Sequence, residues 1–182
     1  MTTTYAALLR GINVSGSKRV PMPELRTVLT ELGHTGIATH LQSGNAVFRS
    51  GSDDEGALAT ALEQALRRRF GFAIDCLVRD AAYLAAVAEA CPFPAAELEG
   101  KQLHVTFFDR PVDAERFAGL EAGDFLPEEF RLGERCLYLY APDGLGRSKL
   151  AVALGRPRHV KGLTATSRNW NTVAKLVELT RG

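Results

Sequence analysis

The sequence predicts an α+β protein made of two ferredoxin-like, split βαβ subdomains that pack into one compact unit. Residues 1–79 show strand and helix patterns in the order β-α-β-β-α-β. A similar order begins again after a proline-rich connector, without obvious residue-level identity between the halves. Each half has only about 80 to 100 residues, a size at which a separate core gives little stability, so the halves are expected to pack together.

The first half is predicted from apolar spacing and turn residues. Its first strand is apolar on both faces, its first helix ends at Gly33, its hairpin turns at Ser43-Gly44, and its second helix starts at an acidic cluster. The predicted elements are a strand at Tyr5–Arg10, a helix at Met22–Leu32, strands at Ile37–Gln42 and Asn45–Arg49, a helix at Asp54–Phe70, and a closing strand in "FAIDCLVR".

A helix at about residues 81–90 and the connector "CPFPAAELEG" separate the halves, so the predicted boundaries are residues 1–79, 80–100 and 101–182. The second half is predicted to contain a strand in "QLHVTFFD", a helix in "VDAERFAGLEAG", a hairpin in "EFRLGERCLYLYA" and a helix in "SKLAVALG". The closing "TATSRNWNTVAKLVELTRG" is predicted to be an amphipathic helix capped by Thr166 or Ser167.

Composition excludes several classes of protein. The 182 residues are 46% hydrophobic and 24% charged, with no membrane-length apolar run and no secretory leader pattern, so a cytoplasmic location is expected. The three cysteines and four histidines lack metal-ligand spacing, and neither phosphate-binding glycine fingerprint is present. We therefore expect no metal and no cofactor.

Charge is distributed unevenly along the chain. Residues 80–146 hold 5 basic and 13 acidic side chains, whereas residues 147–182 hold 8 basic and 1 acidic. The basic end is either a surface for a polyanion or a segment that the acidic middle neutralises. The sequence leaves both interpretations open.

The loop "RGINVSGSKR" is the first candidate site. In a split βαβ unit, the end of the first strand, the start of the first helix and the turn between the next two strands share one edge of the sheet. Glycines there expose backbone amides, and basic side chains and a helix N-terminus favour an anion. The predicted phosphate-binding or carboxylate-binding residues in this half are Arg10, Gly11, Asn13, Gly16, Lys18, Gln42, Ser43 and Asn45.

Ordinary turn chemistry is the alternative interpretation of the same residues. Asn45 can bond the backbone of its own hairpin, and Arg10 can pair with an acidic residue of the other half. In either case the polar residues would stabilise the loop rather than bind a ligand.

Three separated motifs, "LRGINVSG", "LQSGNAVF" and "TSRNWNTV", resemble the bacterial family known as domain of unknown function 1697. The likeness extends over essentially the whole chain. It implies paired ferredoxin-like subdomains in a cytoplasmic protein without an assigned function, and it brings no catalytic residues. This chain has Ser15-Gly16 where the family usually has Gly-Gly, and the basic "GRPRHVKG" where the family often has a glutamate.

The "TSRNWNTV" motif supplies the remaining candidate ligand-binding residues, Arg168, Asn169 and Asn171. An arginine and two amides beside a helix start suit a phosphate or carboxylate. The same residues also suit a structural role, in which Asn169 stabilises the helix entry and Trp170 packs in the core.

We therefore expect a protein that binds a phosphate-bearing anion, either a small molecule or nucleic acid, with no membrane partner. An RNA-binding sheet and a purely structural or interaction module are the alternatives, and Tyr5 and Phe48 are a weak stacking platform for RNA. No motif identifies an enzyme, a reaction or an oligomeric state.

Overall fold

A computed structural model describes the whole chain, Met1–Gly182. It confirms the α+β class, with two four-stranded antiparallel sheets and helices. Contacts divide the chain into two compact units, residues 1–85 with 176–182 (unit 1) and residues 86–175 (unit 2). None of the helices combines the length and the hydropathy needed to cross a lipid bilayer.

Unit 1 holds the first sheet and the two helices that connect its strands. The strands are β1 (Thr3–Leu9), β2 (Thr35–His40), β3 (Asn45–Ser50) and β4 (Cys76–Asp80), and the helices are α1 (Met22–Glu31) and α2 (Glu55–Phe70). The strand order β2-β3-β1-β4, with every neighbouring pair antiparallel, is the split βαβ order that the sequence predicts. Helix α3 (Ala81–Glu89) follows β4 directly.

The core of unit 1 lies between the sheet and its helices. Tyr5, Ala7 and Leu9 of β1 belong to one buried cluster with the apolar stripes of α1 and α2. The alternate residues of the same strand, Ala6 and Leu8, are also fully buried. Because successive residues of a strand point to opposite faces, β1 is buried on both faces, as its uninterrupted apolar run predicts.

Helix α2 shows how local sequence places an element. The side chain of Asp54 accepts a hydrogen bond of 2.9 Å from the backbone N–H of Ala57, which satisfies one of the free donors of the first turn. At the other end Gly71 adopts a left-handed φ of +82° and ends the helix.

Unit 2 repeats the same strand order. Its strands are β5 (Leu103–Phe108), β6 (Glu129–Gly133), β7 (Cys136–Tyr140) and β8 (Ala165–Asn169), and its helices are α4 (Lys149–Leu154) and α5 (Pro157–Val160). Helix α6 (Trp170–Arg181) begins directly after β8, and its residues from 176 onwards belong to unit 1. The order β6-β7-β5-β8 corresponds strand by strand to β2-β3-β1-β4.

Two predicted elements of unit 2 are wrong. The predicted helix in "VDAERFAGLEAG" is a pair of short 3-10 turns, at Ala114–Phe117 and Ala122–Asp124, because glycines at 119 and 123 weaken helix propagation. "TATSRN" is not the start of a helix. Its β-branched Thr164 and Thr166 suit an extended chain, and its last five residues form β8, so the closing helix begins at Trp170.

The strand-to-helix junctions of the two units match residue by residue. Arg79 lies opposite Ala6 in the β1–β4 pair, and Arg168 lies opposite Val105 in the β5–β8 pair. The next residue caps the following helix in both units, because Asp80 accepts from the N–H of Tyr83 at 2.7 Å and Asn169 accepts from the N–H of Thr172 at 3.0 Å. The repeat is therefore visible in single residues at this junction.

Candidate functional site

The structure brings the loop after β1 and the turn between β2 and β3 together at one edge of the first sheet. The backbone N–H of Leu9 donates to the carbonyl of Gly44 at 2.9 Å. The side-chain amide of Asn13 donates to the carbonyl of Gln42 at 2.6 Å. We call this edge, residues 10–19 with residues 41–45, the rim.

Asn13 holds the loop in its shape. Its Nδ2 also donates to the carbonyl of Val20 at 2.9 Å, and its Oδ1 accepts from the Val20 N–H at 2.8 Å. Val20 is fully buried, so these bonds satisfy backbone groups that water does not reach. Asn13, a predicted ligand-binding residue, therefore has its side-chain amide engaged within the rim.

The loop backbone is left-handed at five of the eight positions from 11 to 18. These positions are Gly11 at φ +67°, Asn13 at +56°, Ser15 at +52°, Gly16 at +74° and Lys18 at +47°. Such a conformation costs a non-glycine residue about 1 kcal/mol or more, and it persists only where the surrounding structure imposes it. The loop is thus a shaped segment with open space around Gly11 and Gly16.

Three cationic side chains, Arg10, Lys18 and Arg19, are exposed on this loop. Arg10 Nη1 lies 3.6 Å from an Asp75 carboxylate oxygen, and the Arg10 side chain is 54% exposed. Lys18 Nζ donates to the carbonyl of Ala73 at 3.2 Å. The pair between Arg10 and Asp75 is solvent-exposed and therefore weak, which leaves the guanidinium accessible to a stronger anion.

Sequence reasoning missed Asp75. The alternative that Arg10 pairs with an acidic residue of the other half is wrong, because Asp75 lies in the same unit as Arg10. The signal was present, because β4 runs antiparallel to β1 and its start must therefore lie beside the end of β1. The segment before β4 in fact contacts the loop, since the Arg10 N–H donates to the Asp75 carbonyl at 2.9 Å. The rim thus carries one carboxylate beside its cations.

The turn residues divide into an internal group and an exposed group. Asn45 is fully buried, and its Nδ2 donates to the His40 carbonyl at 2.8 Å and to Ser43 Oγ at 3.2 Å. Gln42 and Ser43 are exposed. Asn45 therefore closes its own hairpin, as the turn-chemistry interpretation expects, while Ser43 offers a hydroxyl to solvent.

Helix α1 adds less to the rim than the sequence predicts. Pro23 has no N–H, the N–H of Glu24 donates to the Pro21 carbonyl at 3.1 Å, and the carboxylate of Glu24 lies in the first turn. An anion at a helix start needs free N–H groups and no competing carboxylate. The loop backbone and its cations are thus the main features of the rim that favour an anion.

Leu41 is a second shaped position in the rim, with φ +63° and a side chain that is 55% exposed. This left-handed conformation is unfavourable for a bulky side chain, and burial of the Leu41 side chain does not offset its cost. Replacing Leu41 by asparagine, which tolerates the conformation, should raise the free energy of unfolding by about 1 kcal/mol. Urea unfolding measures the change. Val14→Asn is the control, because Val14 is 58% exposed without a positive φ, and it should change stability by less than about 0.5 kcal/mol.

The "TSRNWNTV" residues lie in β8 and at the start of α6 and form a separate group. Arg168 is 7% exposed, and its Nη1 donates to Thr166 Oγ1 at 2.7 Å and to the Ser167 carbonyl at 2.9 Å. Burial lowers the pKa of Arg168 to about 10. Its counterpart Arg79 is buried too and likewise donates to the preceding carbonyl, of Val78, at 2.8 Å.

The two amides of this motif differ in exposure. Asn169 is half-buried, and its side chain caps α6 through the Thr172 N–H. Asn171 is exposed, and Gly100 lacks the Cβ that would otherwise collide with the Asn171 amide. Asn171 is thus the most accessible of the three predicted residues of this motif.

The first sheet offers no exposed aromatic surface at Tyr5 and Phe48, the residues considered for RNA stacking. They are 2% and 1% exposed, and their rings stack on each other with centroids 5.8 Å apart. On the opposite face Ala6, Leu8 and Leu77 are also buried. Because RNA-binding sheets stack bases on exposed aromatic side chains, this geometry favours the rim over the sheet face as a binding site.

Comparisons with known proteins agree with the fold. A family model described as a protein of unknown function, DUF1697, matches residues 1–138. A solved structure of a conserved bacterial protein from Streptococcus pneumoniae is similar over 99% of this chain and 99% of its own, with 25% sequence identity and a TM-score of 0.78. No curated protein matches the chain.

Proposed function

Since this chain belongs to the DUF1697 family, whose function is unknown, we propose a function from its own geometry: the rim of unit 1 binds a phosphate-bearing anion. The observation that carries the proposal is the loop at residues 10–19. Its strained, left-handed backbone is fixed by Asn13, while its cations face solvent. Residues held in sparsely populated backbone conformations cluster at active sites and ligand-binding loops.

The proposed ligand groups have separate roles. Arg10 and Lys18 supply charge, Gly11 and Gly16 leave room for an anion to approach backbone N–H groups, and Ser43 supplies a hydroxyl. The Gln42 carbonyl accepts from Asn13 and so holds the turn against the loop, while Asn45 closes its own hairpin. An anion would exchange the exposed contact between Arg10 and Asp75 for a charge-assisted bond of its own.

Arg168, Asn169 and Asn171 remain a separate proposal. The support for ligand binding there is the exposure of Asn171, whereas the contacts of Arg168 and Asn169 support a structural role. The titration described below, repeated with Asn171→Ala, tests whether this group binds the ligand. An unchanged affinity would count against ligand binding by the group.

Replacing Arg10 by glutamine should weaken binding of pyrophosphate or a nucleoside monophosphate at least about tenfold, because one charge-assisted contact contributes about 1.5 to 3 kcal/mol. Folding stability should change by less than about 1 kcal/mol, since the exposed pair with Asp75 contributes little. Isothermal titration gives the affinity, and urea unfolding gives the stability.

Arg131→Gln is the matched control for charge. The Arg131 side chain is 53% exposed and pairs with Glu129 at 3.2 Å, so the substitution removes the same charge from a similar environment in unit 2. It should leave the affinity unchanged. Equal losses in the two variants would show that the anion responds only to net charge and would refute a site at the rim.

A further inference from the structure

The segment from Arg147 to Lys161 concentrates positive charge outside the rim. It contains five basic side chains, at positions 147, 149, 156, 158 and 161, and no acidic one. All five are exposed. None of them takes part in an ion pair of the chain. The acidic middle of the sequence therefore does not neutralise these five charges through direct pairing.

The five cations divide into two groups. Arg147 and Lys149 line a cavity of about 140 Å³ together with the carboxylates of Asp124, Glu128 and Asp143. Arg156, Arg158 and Lys161 lie outside that cavity, around the single turn of α5. We call these three residues the basic turn.

The basic turn is fixed to the body of unit 2. His159, which is 2% exposed, stacks on Phe117 with ring centroids 5.5 Å apart, and its Nδ1 lies 2.7 Å from the Arg116 carbonyl. Arg116 Nη1 donates in return to the carbonyls of His159 at 3.2 Å and Lys161 at 2.8 Å. These contacts hold the backbone that carries the three cations, so this backbone does not have to be ordered on binding.

We infer that the basic turn is an interaction surface for the phosphate backbone of nucleic acid. Three exposed cations lie within six residues of the chain, and each phosphate that such a cation neutralises releases counterions. The large exposed hydrophobic residues of the chain include no aromatic side chain on which a base could stack. The contact therefore recognises the charge of the backbone and not the base sequence. Binding to a membrane surface needs a helix with an exposed apolar face. Helix α4, in the same basic segment, has only six residues and one strongly exposed apolar side chain, Val152, so it does not offer such a face.

The probe for this inference is a fluorescently labelled DNA duplex of 20 base pairs, titrated at several salt concentrations. We expect weak, sequence-independent binding whose log K falls against log salt with a slope of about −3, since three phosphates contribute about −0.9 each. Replacing Arg156, Arg158 and Lys161 together by glutamine should weaken binding at low salt by about tenfold or more and bring the slope close to zero. A slope that the triple variant leaves unchanged would overturn the inference.

The control removes the same charge from paired cations of unit 2. Lys101, Arg110 and Arg131 each lie within 3.2 Å of a carboxylate oxygen, and their joint replacement by glutamine should leave the slope unchanged. An equal loss in this control would refute a localised surface.

A second variant protects the test against misfolding. Arg158 Nε lies 3.3 Å from His159 Nε2, so the triple variant also removes a contact of the scaffold. Arg156→Gln with Lys161→Gln removes no such side-chain contact and should bring the slope to about −1. Vesicles of mixed zwitterionic and anionic phospholipid, offered in place of DNA, should not bind at 150 mM salt. Binding to vesicles without binding to the duplex would assign the surface to membranes and overturn the inference.

Discussion

Replacing Gly44 by alanine is expected to lower the free energy of unfolding by about 3 kcal/mol. Gly44 has φ +94°, and a Cβ there would lie 2.8 Å from both Leu9 Cβ and Ile12 Cδ1. Leu9 Cβ is tied to the backbone of β1 and cannot swing away, so overpacking adds to left-handed strain. Urea unfolding followed by circular dichroism measures the loss.

Gly11→Ala separates these two causes. Gly11 also has a positive φ, of +67°, but nothing lies within 4 Å of the position that its Cβ would occupy. This variant should lose only about 1 kcal/mol, the cost of backbone strain alone. Equal losses at the two positions would show that the close approach of loop and turn contributes nothing to stability.

Replacing Asn13 by alanine is expected to have a similarly large effect, also about 3 kcal/mol. The substitution removes three hydrogen bonds and leaves the N–H and carbonyl of the buried Val20 without the side chain that satisfies them. Each such orphaned group costs about 1 to 3 kcal/mol, and alanine tolerates the φ of +56° less well than asparagine. Urea unfolding again gives the change.

Asn13→Asp is the matched variant for this prediction. It retains an oxygen that can accept from the Val20 N–H and tolerates a positive φ, but it cannot donate to Gln42 or to the Val20 carbonyl. Its second carboxylate oxygen would face the carbonyl oxygens of Gln42 and Val20, which repel it, so its loss should be at least as large as that of Asn13→Ala. If Asn13→Ala is as stable as wild type, the loop is not held by this side chain.

Much of the fold could be predicted because local signals and the global fold agree. The apolar run at the first strand, the stripe in α2 and the hairpin turn at Gly44 each have one physical interpretation, and together they specify the strand order. The failures lie where local sequence is ambiguous. The residues "TATSRN" are typical of a helix cap, and only their pairing with β5 shows that they form a strand. Pairing between segments that are distant in the chain cannot be predicted from the local sequence.

The rim could be predicted only in part. Topology predicts that residues 10–19 and 41–45 meet, because the end of β1 and the turn between β2 and β3 lie at the same edge of the sheet. It does not predict which polar side chains turn inward. Asn13 and Asn45 have the same chemistry as an exposed ligand-binding amide, and only their contacts show that they bond the backbone. Likewise, no sequence pattern distinguishes the buried Arg168 from the exposed Arg10.

The direct passage from strand to helix at Asp80–Ala81 and Asn169–Trp170 limits how the length of this chain can change. A helix turns by about 100° per residue, and a strand reverses its faces at each residue. One inserted residue would therefore rotate Leu84 and Val87 of α3 by about 100°, slightly more than a quarter turn, away from their buried positions. Neither junction has a loop residue to absorb the shift. We therefore expect an insertion or deletion at either junction to destabilise the fold more than one in an exposed turn.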